Sequence, residues 1–81
     1  MARVTLMPPF AVEFFGGRAE LEVEAGNVFR LIEALDRLGP GFGEDADGRA
    51  AFGVDGAVRA DWSAPLEPGA QVTVFPRVAG G

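Results

Sequence analysis

The chain begins with the two-residue periodicity of a β-strand, because polar and apolar side chains alternate over residues 3–7. Val4 and Leu6 are therefore predicted to face a core. Pro8-Pro9 ends the strand, since proline has no N–H to donate to a neighbouring strand. The apolar stretch that continues to residue 15 is too short to span a bilayer and is predicted to be a loop.

A second strand follows a glycine turn. Gly16-Gly17 accepts backbone angles that other residues resist, which suits a turn. Residues 19–24 then alternate again, with Leu21 and Val23 on one face and three glutamates on the other. Such a half-buried strand is predicted to pair with the first strand as a hairpin.

Residues 28–38 have the spacing of an amphipathic helix. Asn27 stands where an N-cap is needed, since its side-chain oxygen can accept a hydrogen bond from an N–H of the first turn. Gly39 is predicted at the left-handed C′ position, and Pro40 prevents the helix from continuing. The apolar residues predicted to form its core-facing stripe are Val28, Leu31, Ile32, Leu35 and Leu38.

The segment 39–50 is rich in glycine and acidic residues and is predicted to be a solvated loop. Glu44, Asp45 and Asp47 could suggest a calcium site, but their spacing does not match an EF-hand loop. No metal site is predicted in the chain.

Short strands are predicted in the last part of the chain. Asp55-Gly56 is typical of a tight hairpin between residues 52–54 and residues 57–59. Trp62 and Leu66 are predicted to cover the core from the connection that follows.

The last strand, residues 71–75, follows a turn at Pro68-Gly69, and Val72 and Val74 share its predicted buried face. The element order is then β-β-α-β-β-β. One main helix can cover one face of a mixed sheet of about five strands, so the predicted fold class is an α+β roll.

Composition argues against a self-contained enzyme. The 81 residues include no cysteine and no histidine, so disulfides, a thiolate metal site and the commonest general base are absent. The one serine, Ser63, has no histidine to activate it. A formal net charge of −5 disfavours nucleic acid and favours partners with a basic docking surface. With no signal or membrane segment recognised, the protein is predicted to be cytoplasmic.

The end of the chain is predicted to carry the function. Pro76 stops the last strand, so residues 1–76 are predicted to be the domain and residues 77–81 a flexible tail. Gly80-Gly81 would end in a carboxylate, which is ionised at neutral pH and needs activation, for example as an acyl-adenylate, before sulfur can attack. Because glycine has no Cβ, the pair can thread a narrow channel of an activating enzyme.

Phe75 and Met7 are predicted to lie on the sheet face away from the helix. An exposed aromatic side chain beside the tail is a natural anchor for a partner protein. The alternative is that the connection around Trp62 folds over Phe75 and makes it part of a satellite core.

Together these features resemble the MoaD/ThiS family of ubiquitin-like sulfur carriers, and the length and tail are most similar to the small subunit of molybdopterin synthase. The likeness covers the element order and the motifs Ala25-Gly26-Asn27-Val28 and Val54-Asp55-Gly56. Its most specific part is the ending Phe75-Pro76-Arg77-Val78-Ala79-Gly80-Gly81. Ala70, where members usually carry an acidic residue, and Pro8-Pro9 depart from the pattern.

The resemblance implies a β-grasp fold and a carrier function. Gly81 would be adenylated with ATP by a ubiquitin-activating-type adenylyltransferase, and a sulfur donor would convert it to a thiocarboxylate. Phe75 and Met7 would lie in the interface with the large subunit of molybdopterin synthase, which makes the sulfur-accepting active site. The carrier itself would bind no cofactor. The residues that would thread into the partner are Pro76, Arg77, Val78, Ala79 and Gly80.

Three alternatives stay open. The thiocarboxylate could supply thiamine, cysteine or a specialised metabolite, and a Val-Ala-Gly-Gly ending also suits carriers of the cysteine pathway. The chain could instead be a protein modifier that forms isopeptide bonds with lysines of other proteins. It could also be an interaction domain in which Gly80-Gly81 has no chemical role.

Overall fold

The computed structural model describes residues 1–77, which form a mixed five-stranded sheet with helices packed on one face. The sheet order is β2-β1-β5-β3-β4, in which β1 and β5 are parallel and the other neighbours are antiparallel. No helix within these residues is long and apolar enough to cross a membrane. The strands are β1 (Ala2–Leu6), β2 (Glu20–Val23), β3 (Ala50–Val54), β4 (Ala57–Val58) and β5 (Gln71–Pro76), and the helices are α1 (Phe10–Phe14), α2 (Val28–Leu38) and α3 (Phe42–Arg49).

The core lies between the sheet and the helices. Val4 and Leu6 of β1 and Val72 and Val74 of β5 are buried, as their alternation predicts. Because β1 and β5 pair in register at both positions, these four side chains form one continuous apolar layer. The residues between them point to the opposite side of the sheet, which we call the outer face.

Helix α2 has the predicted bounds. Asn27 caps it, since its Oδ1 accepts a hydrogen bond from the Arg30 N–H at 2.8 Å. Leu38, predicted to be buried, is 57% exposed at the C-terminal end of the helix. The fully buried residues of the helix are Val28, Leu31 and Leu35.

Two helices stand where the sequence predicts loops. α1 occupies the end of the apolar stretch after Pro8-Pro9, and α3 occupies most of the acidic, glycine-rich segment. Asp36 caps α3 from the preceding helix, since its Oδ1 accepts hydrogen bonds from the N–H groups of Gly41 and Gly43 at 3.2 and 2.9 Å. The prediction of a solvated loop is therefore wrong, because a cap supplied by another helix holds this segment in shape.

A phenylalanine cluster explains how two such short helices are stabilised. The ring centroid of Phe42 in α3 lies 5.4 Å from that of Phe15 and 5.9 Å from those of Phe10 and Phe14. All three pairs meet edge to face, the geometry that aromatic rings prefer. Since short helices are marginal by themselves, these ring contacts, which are part of the main core, supply the tertiary packing they need.

The turn between α2 and α3 corrects the prediction for Gly39. Its φ is −134°, so the left-handed conformation falls not to Gly39 but to Gly41, at φ 100°. Glycine is required at position 39 for another reason, because a Cβ there would collide with the backbone carbonyl oxygen of Phe14. The turn therefore packs directly against the end of α1.

The predicted hairpin and the covering role of Trp62 are confirmed. Asp55 and Gly56 have φ of 49° and 89°, the paired positive angles of a type I′ turn. The Asp55 carboxylate also accepts a hydrogen bond from the Gln71 N–H at 2.9 Å, which ties the turn to β5. Trp62 packs edge to face on Phe52, with 5.2 Å between ring centroids, and so closes the core on the helix side.

Candidate functional site at the end of the central strand

The predicted site begins at the end of β5, which is the central strand of the sheet. β1 pairs with one of its edges and β3 with the other. Val72 and Val74 fix the strand to the core from below. The predicted site is therefore attached to a strand that pairs along both edges and packs on the core.

Pro76 is the last residue of β5, although proline is unusual in a central strand. By the alternation of the ladder, its nitrogen faces β1 rather than β3. β1 has already left the sheet at this level, because the Met7 carbonyl accepts a hydrogen bond from the Phe10 N–H at 3.0 Å. The sheet therefore loses no hydrogen bond through the missing N–H of Pro76.

Arg77 makes the last contacts of the described chain. Its N–H donates to the carbonyl oxygen of Arg49 at 2.7 Å, and its guanidinium donates to the carbonyl oxygen of Ala50 at 2.9 Å. The sequence assigns Arg77 to the tail, whereas the structure pairs it with the start of β3. The remaining predicted site residues lie outside the described residues: Val78, Ala79, Gly80 and Gly81.

An apolar strip lies on the outer face beside this exit. Phe75 is half-buried opposite Ala51, and its ring lies 3.6 Å from the position that a Cβ on Gly53 would occupy. Met7 is 45% exposed and donates a hydrogen bond to the Val74 carbonyl at 2.9 Å, which places it beside Phe75. We call this surface the outer-face strip, and its members are Met7, Ala51, Gly53, Val58 and Phe75.

Trp62 lies on the other side of the sheet from Phe75. Its ring packs against those of Phe29 and Phe52, with 5.7 and 5.2 Å between centroids, and Phe52 is fully buried in the core. The connection around Trp62 is therefore engaged on the helix side and does not cover Phe75. The role of Phe75 and Met7 in partner binding stays a prediction.

Sequence reasoning does not identify Val58 or Arg49 as part of this region. Val58 is 70% exposed and lies opposite Gly53, because the two-residue turn fixes the register of β3 and β4. Because Asp55-Gly56 predicts a two-residue turn, the sequence already implies that Val58 lies opposite Gly53. Val58 could therefore have been identified as part of this region from the sequence. Arg49 comes from α3, whose position depends on the whole fold, and no local pattern points to it.

Ion pairs connect the helices near the end of β5. The Arg49 guanidinium lies 3.0 Å from the Glu13 carboxylate in α1 and 3.4 Å from that of Asp45 in α3. The Arg49 and Glu13 side chains are about half exposed, so such pairs contribute at most about 1 kcal/mol each. The Arg49–Glu13 pair joins α3 to α1 beside the end of β5. These ion pairs have a structural role and do not form a charged reaction centre.

The exposed turn before Trp62 holds a carboxylate, that of Asp61, whose pKa is shifted. The pKa of Asp61 is lowered because the Ser63 hydroxyl and N–H both donate to its carboxylate, at 2.6 and 3.0 Å, with Arg59 adding a smaller attraction. A lowered folded-state pKa stabilises the fold above the unfolded-state pKa. That contribution is lost as the pH falls through the folded-state value.

The described residues form several shallow surface clefts. One of them, about 540 Å³, is an open groove between α2, α3 and Trp62 on the helix side. A smaller cleft of about 290 Å³ lies beside the end of β5, with Arg59 and Arg77 among its lining residues. Within residues 1–77, no group of three or more acidic side chains is arranged to hold a metal ion. Chemically, this end of the molecule can present a segment to a partner and dock against it.

Neither a protein-family model nor a curated protein matches the chain. CysO of Mycobacterium tuberculosis, described as an antigen, superposes with a TM-score of 0.84 at 14% identity, over 96% of this chain and 100% of that chain. A chain of the BexX/CysO complex of Amycolatopsis orientalis gives a TM-score of 0.79 at 18% identity, over 100% of both chains. A chain of the complex of subunits 1 and 2 of molybdopterin-converting factor from Helicobacter pylori gives 0.69 at 18% identity, over 99% of this chain and 97% of that chain.

These likenesses establish the fold. They extend along nearly the whole of this chain, and they confirm the predicted β-grasp roll, a mixed five-stranded sheet with one main helix. Identities of 14% and 18% show a shared fold alone.

Proposed function

We propose that this protein is a sulfur carrier whose carboxyl-terminal Gly81 is adenylated and then converted to a thiocarboxylate. The observation that carries the proposal is the end of β5, where a strand held on both edges leads through Pro76 and Arg77 into Val78-Ala79-Gly80-Gly81. A likeness in fold to a chain of the molybdopterin-converting factor complex supports it.

The proposed chemistry requires only the terminal carboxylate from this chain. A carboxylate oxygen attacks the α-phosphorus of ATP, pyrophosphate leaves, and Gly81 becomes an acyl-adenylate. Hydrosulfide supplied by the sulfur donor then attacks the acyl carbon, so that a C–S bond forms, the bond to AMP breaks, and loss of the sulfur-bound proton leaves the thiocarboxylate. The chain has no histidine or cysteine, so the acid, base and sulfur-transfer groups belong to its partners.

Two kinds of protein partner follow from this chemistry. An adenylyltransferase of the ubiquitin-activating type would bind ATP and the tail together, and a synthase subunit would accept the sulfur. The outer-face strip suits both, because its apolar members Met7, Phe75 and Val58 lie beside the exit of the tail. Since activation consumes ATP, the proposal places the protein in the cytoplasm.

Molybdopterin synthesis is the pathway that we propose for the sulfur. The tail Phe75-Pro76-Arg77-Val78-Ala79-Gly80-Gly81, which resembles that of the small subunit of molybdopterin synthase, supports this assignment. The large subunit of that synthase would be the acceptor. Reconstitution tests this assignment: thiocarboxylated protein, the large subunit and the pterin precursor should together yield molybdopterin.

A carrier for another pathway, such as cysteine synthesis, is the second candidate. The Val-Ala-Gly-Gly ending suits it, and the two structures with the higher TM-scores, 0.84 and 0.79, carry no molybdopterin designation. Failure of the reconstitution above, with sulfur transfer to a cysteine-forming acceptor instead, would select this candidate.

Exchange of labelled pyrophosphate into ATP tests the activation step. With the activating enzyme of the same cells, wild-type protein should support exchange, whereas a form lacking Gly81 should not. Gly48→Ala is the matched control, because Gly48 lies in α3 with open space around it and should leave exchange unchanged. Equal exchange with and without Gly81 would contradict the proposal.

A further inference from the structure

We infer that Arg77 is a positioning residue that sets where the tail leaves the fold and how far its reactive end can reach. The inference rests on the proposed function, since it concerns presentation of Gly81. It concerns an internal contact of the free protein, and so part of its test needs no partner.

Arg77 holds the strand end through its backbone and its side chain at once. Its N–H donates to the Arg49 carbonyl at 2.7 Å, which extends the β3–β5 ladder one residue beyond Pro76. Its guanidinium donates to the Ala50 carbonyl at 2.9 Å, a hydrogen bond strengthened by the charge of the donor. The two acceptors, Arg49 and Ala50, are consecutive residues, so both hydrogen bonds fix Arg77 to the same short segment.

The carbonyl groups of Arg49 and Ala50 point to opposite edges of the chain at the start of β3. Arg49 bonds toward β5 through Arg77, whereas the Phe52 carbonyl accepts a hydrogen bond from the Arg59 N–H at 2.7 Å on the other edge. Ala50 alternates with Phe52, so its carbonyl also faces away from β5. The Arg77 side chain must therefore cross β3 to reach it, and this fastens the end of β5 over its neighbour.

The short β4 leaves this edge available. β4 has only two residues, and they pair with Gly53 and Val54, at the far end of β3. The carbonyl of Ala50 would otherwise be an unpaired group on a strand edge. The Arg77 guanidinium donates to this carbonyl where a longer β4 would otherwise pair with it. This contact explains why an arginine suits position 77.

Fixing Arg77 limits the reach of the tail. Four residues follow it, and fully extended they span at most about 14 Å. Releasing Arg77 would add about 3.5 Å and the freedom of another residue. By this contact, Arg77 sets the greatest distance from the outer-face strip that Gly81 can reach.

Amide hydrogen exchange of the free, isotope-labelled protein tests the anchor first. The Arg77 amide should be protected in the wild type, and Arg77→Ala should speed its exchange at least tenfold. Arg59→Ala is the matched control: Arg59 lines the same cleft, but its guanidinium donates to Ala64 and Pro65, away from the tail. It should leave exchange at Arg77 unchanged, and Arg77→Lys should restore part of the protection.

Adenylation kinetics then test the consequence. Arg77→Ala should lower kcat roughly tenfold, the effect of ordering one more residue, while KM changes little because the outer-face strip is intact. A glycine inserted between Arg77 and Val78 should lower kcat similarly while the Arg77 amide stays protected.

The outcomes separate the two proposals. An unprotected Arg77 amide in the wild type, or an amide whose exchange Arg77→Ala leaves unchanged, overturns the anchor, whatever the kcat of that variant. An unchanged kcat for Arg77→Ala and for the glycine insertion overturns the limit on reach. If the wild type is not adenylated at all, the proposed function fails, while hydrogen exchange still decides the anchor.

Discussion

At position 39 the chain passes so close to α1 that the missing side chain itself is the requirement. The sequence assigns Gly39 to a left-handed helix end, but its φ of −134° is open to any residue. The neighbour that demands glycine is the backbone of Phe14, which belongs to an element that the sequence does not reveal. The sequence thus anticipates that position 39 needs glycine, whereas the physical cause is a contact with a residue that is distant in the chain.

Gly39→Ala should lower the free energy of unfolding by about 2 kcal/mol, the usual effect of forcing a methyl group into a packed site. The new Cβ would also lie 2.9 Å from a ring carbon of Phe15. Urea unfolding measures this, with Gly26→Ala as the control, because Gly26 has open space around it. An equal, small effect of both substitutions would show that the turn does not pack on α1 as described.

At the scale of elements, the bounds and N-cap of α2 could be predicted, whereas α1 and α3 could not. α2 combines a side-chain cap at Asn27 with an apolar stripe over three turns, and both signals are local. α3 has two glycines, a narrow buried face of Phe42 and Ala46, and a cap from Asp36 in another helix. Propensity alone makes that segment a loop, and tertiary contacts override it.

Two glycines of α3 offer a matched test of that cap. Gly48→Ala should raise the free energy of unfolding by about 0.5 kcal/mol, because alanine favours a helix and nothing lies within 4 Å of the new Cβ. Gly43→Ala should instead lower it by about 0.5 kcal/mol, since its Cβ would lie 3.2 Å from the capping Asp36 Oδ1. Equal stabilisation by both, measured in urea, would mean that Asp36 does not cap α3.

At the scale of the molecule, the sequence predicts the fold class and a role for the terminal glycines, but not the contacts that fix the end of β5. Alternation placed Val72, Val74 and Phe75 on their faces of β5, and those faces are as predicted. That β5 is the central strand, and that Arg77 grips β3, depends on pairings between residues far apart in the chain. Such pairings leave no pattern in the local sequence, so the contacts at the end of β5 could not be predicted from it.

The outer-face strip should act as the docking surface of the whole molecule. Phe75→Ser should weaken binding to the activating enzyme roughly tenfold or more, measured by calorimetry, because a buried aromatic anchor carries much of an interface's energy. Phe29→Ser is the matched control, a phenylalanine that is 53% exposed on the helix side of the protein. Equal losses from both variants would move the interface away from the outer face.

The central claim is that Gly81 carries sulfur, and intact-mass spectrometry tests it most directly. Protein purified from its own cells, or incubated with ATP, a sulfur donor and the activating enzymes of those cells, should gain the mass of one oxygen replaced by sulfur. A form without Gly81 should keep its mass under the same conditions. A wild-type mass that stays unchanged after that incubation, with the enzymes active on a known carrier, would contradict the account.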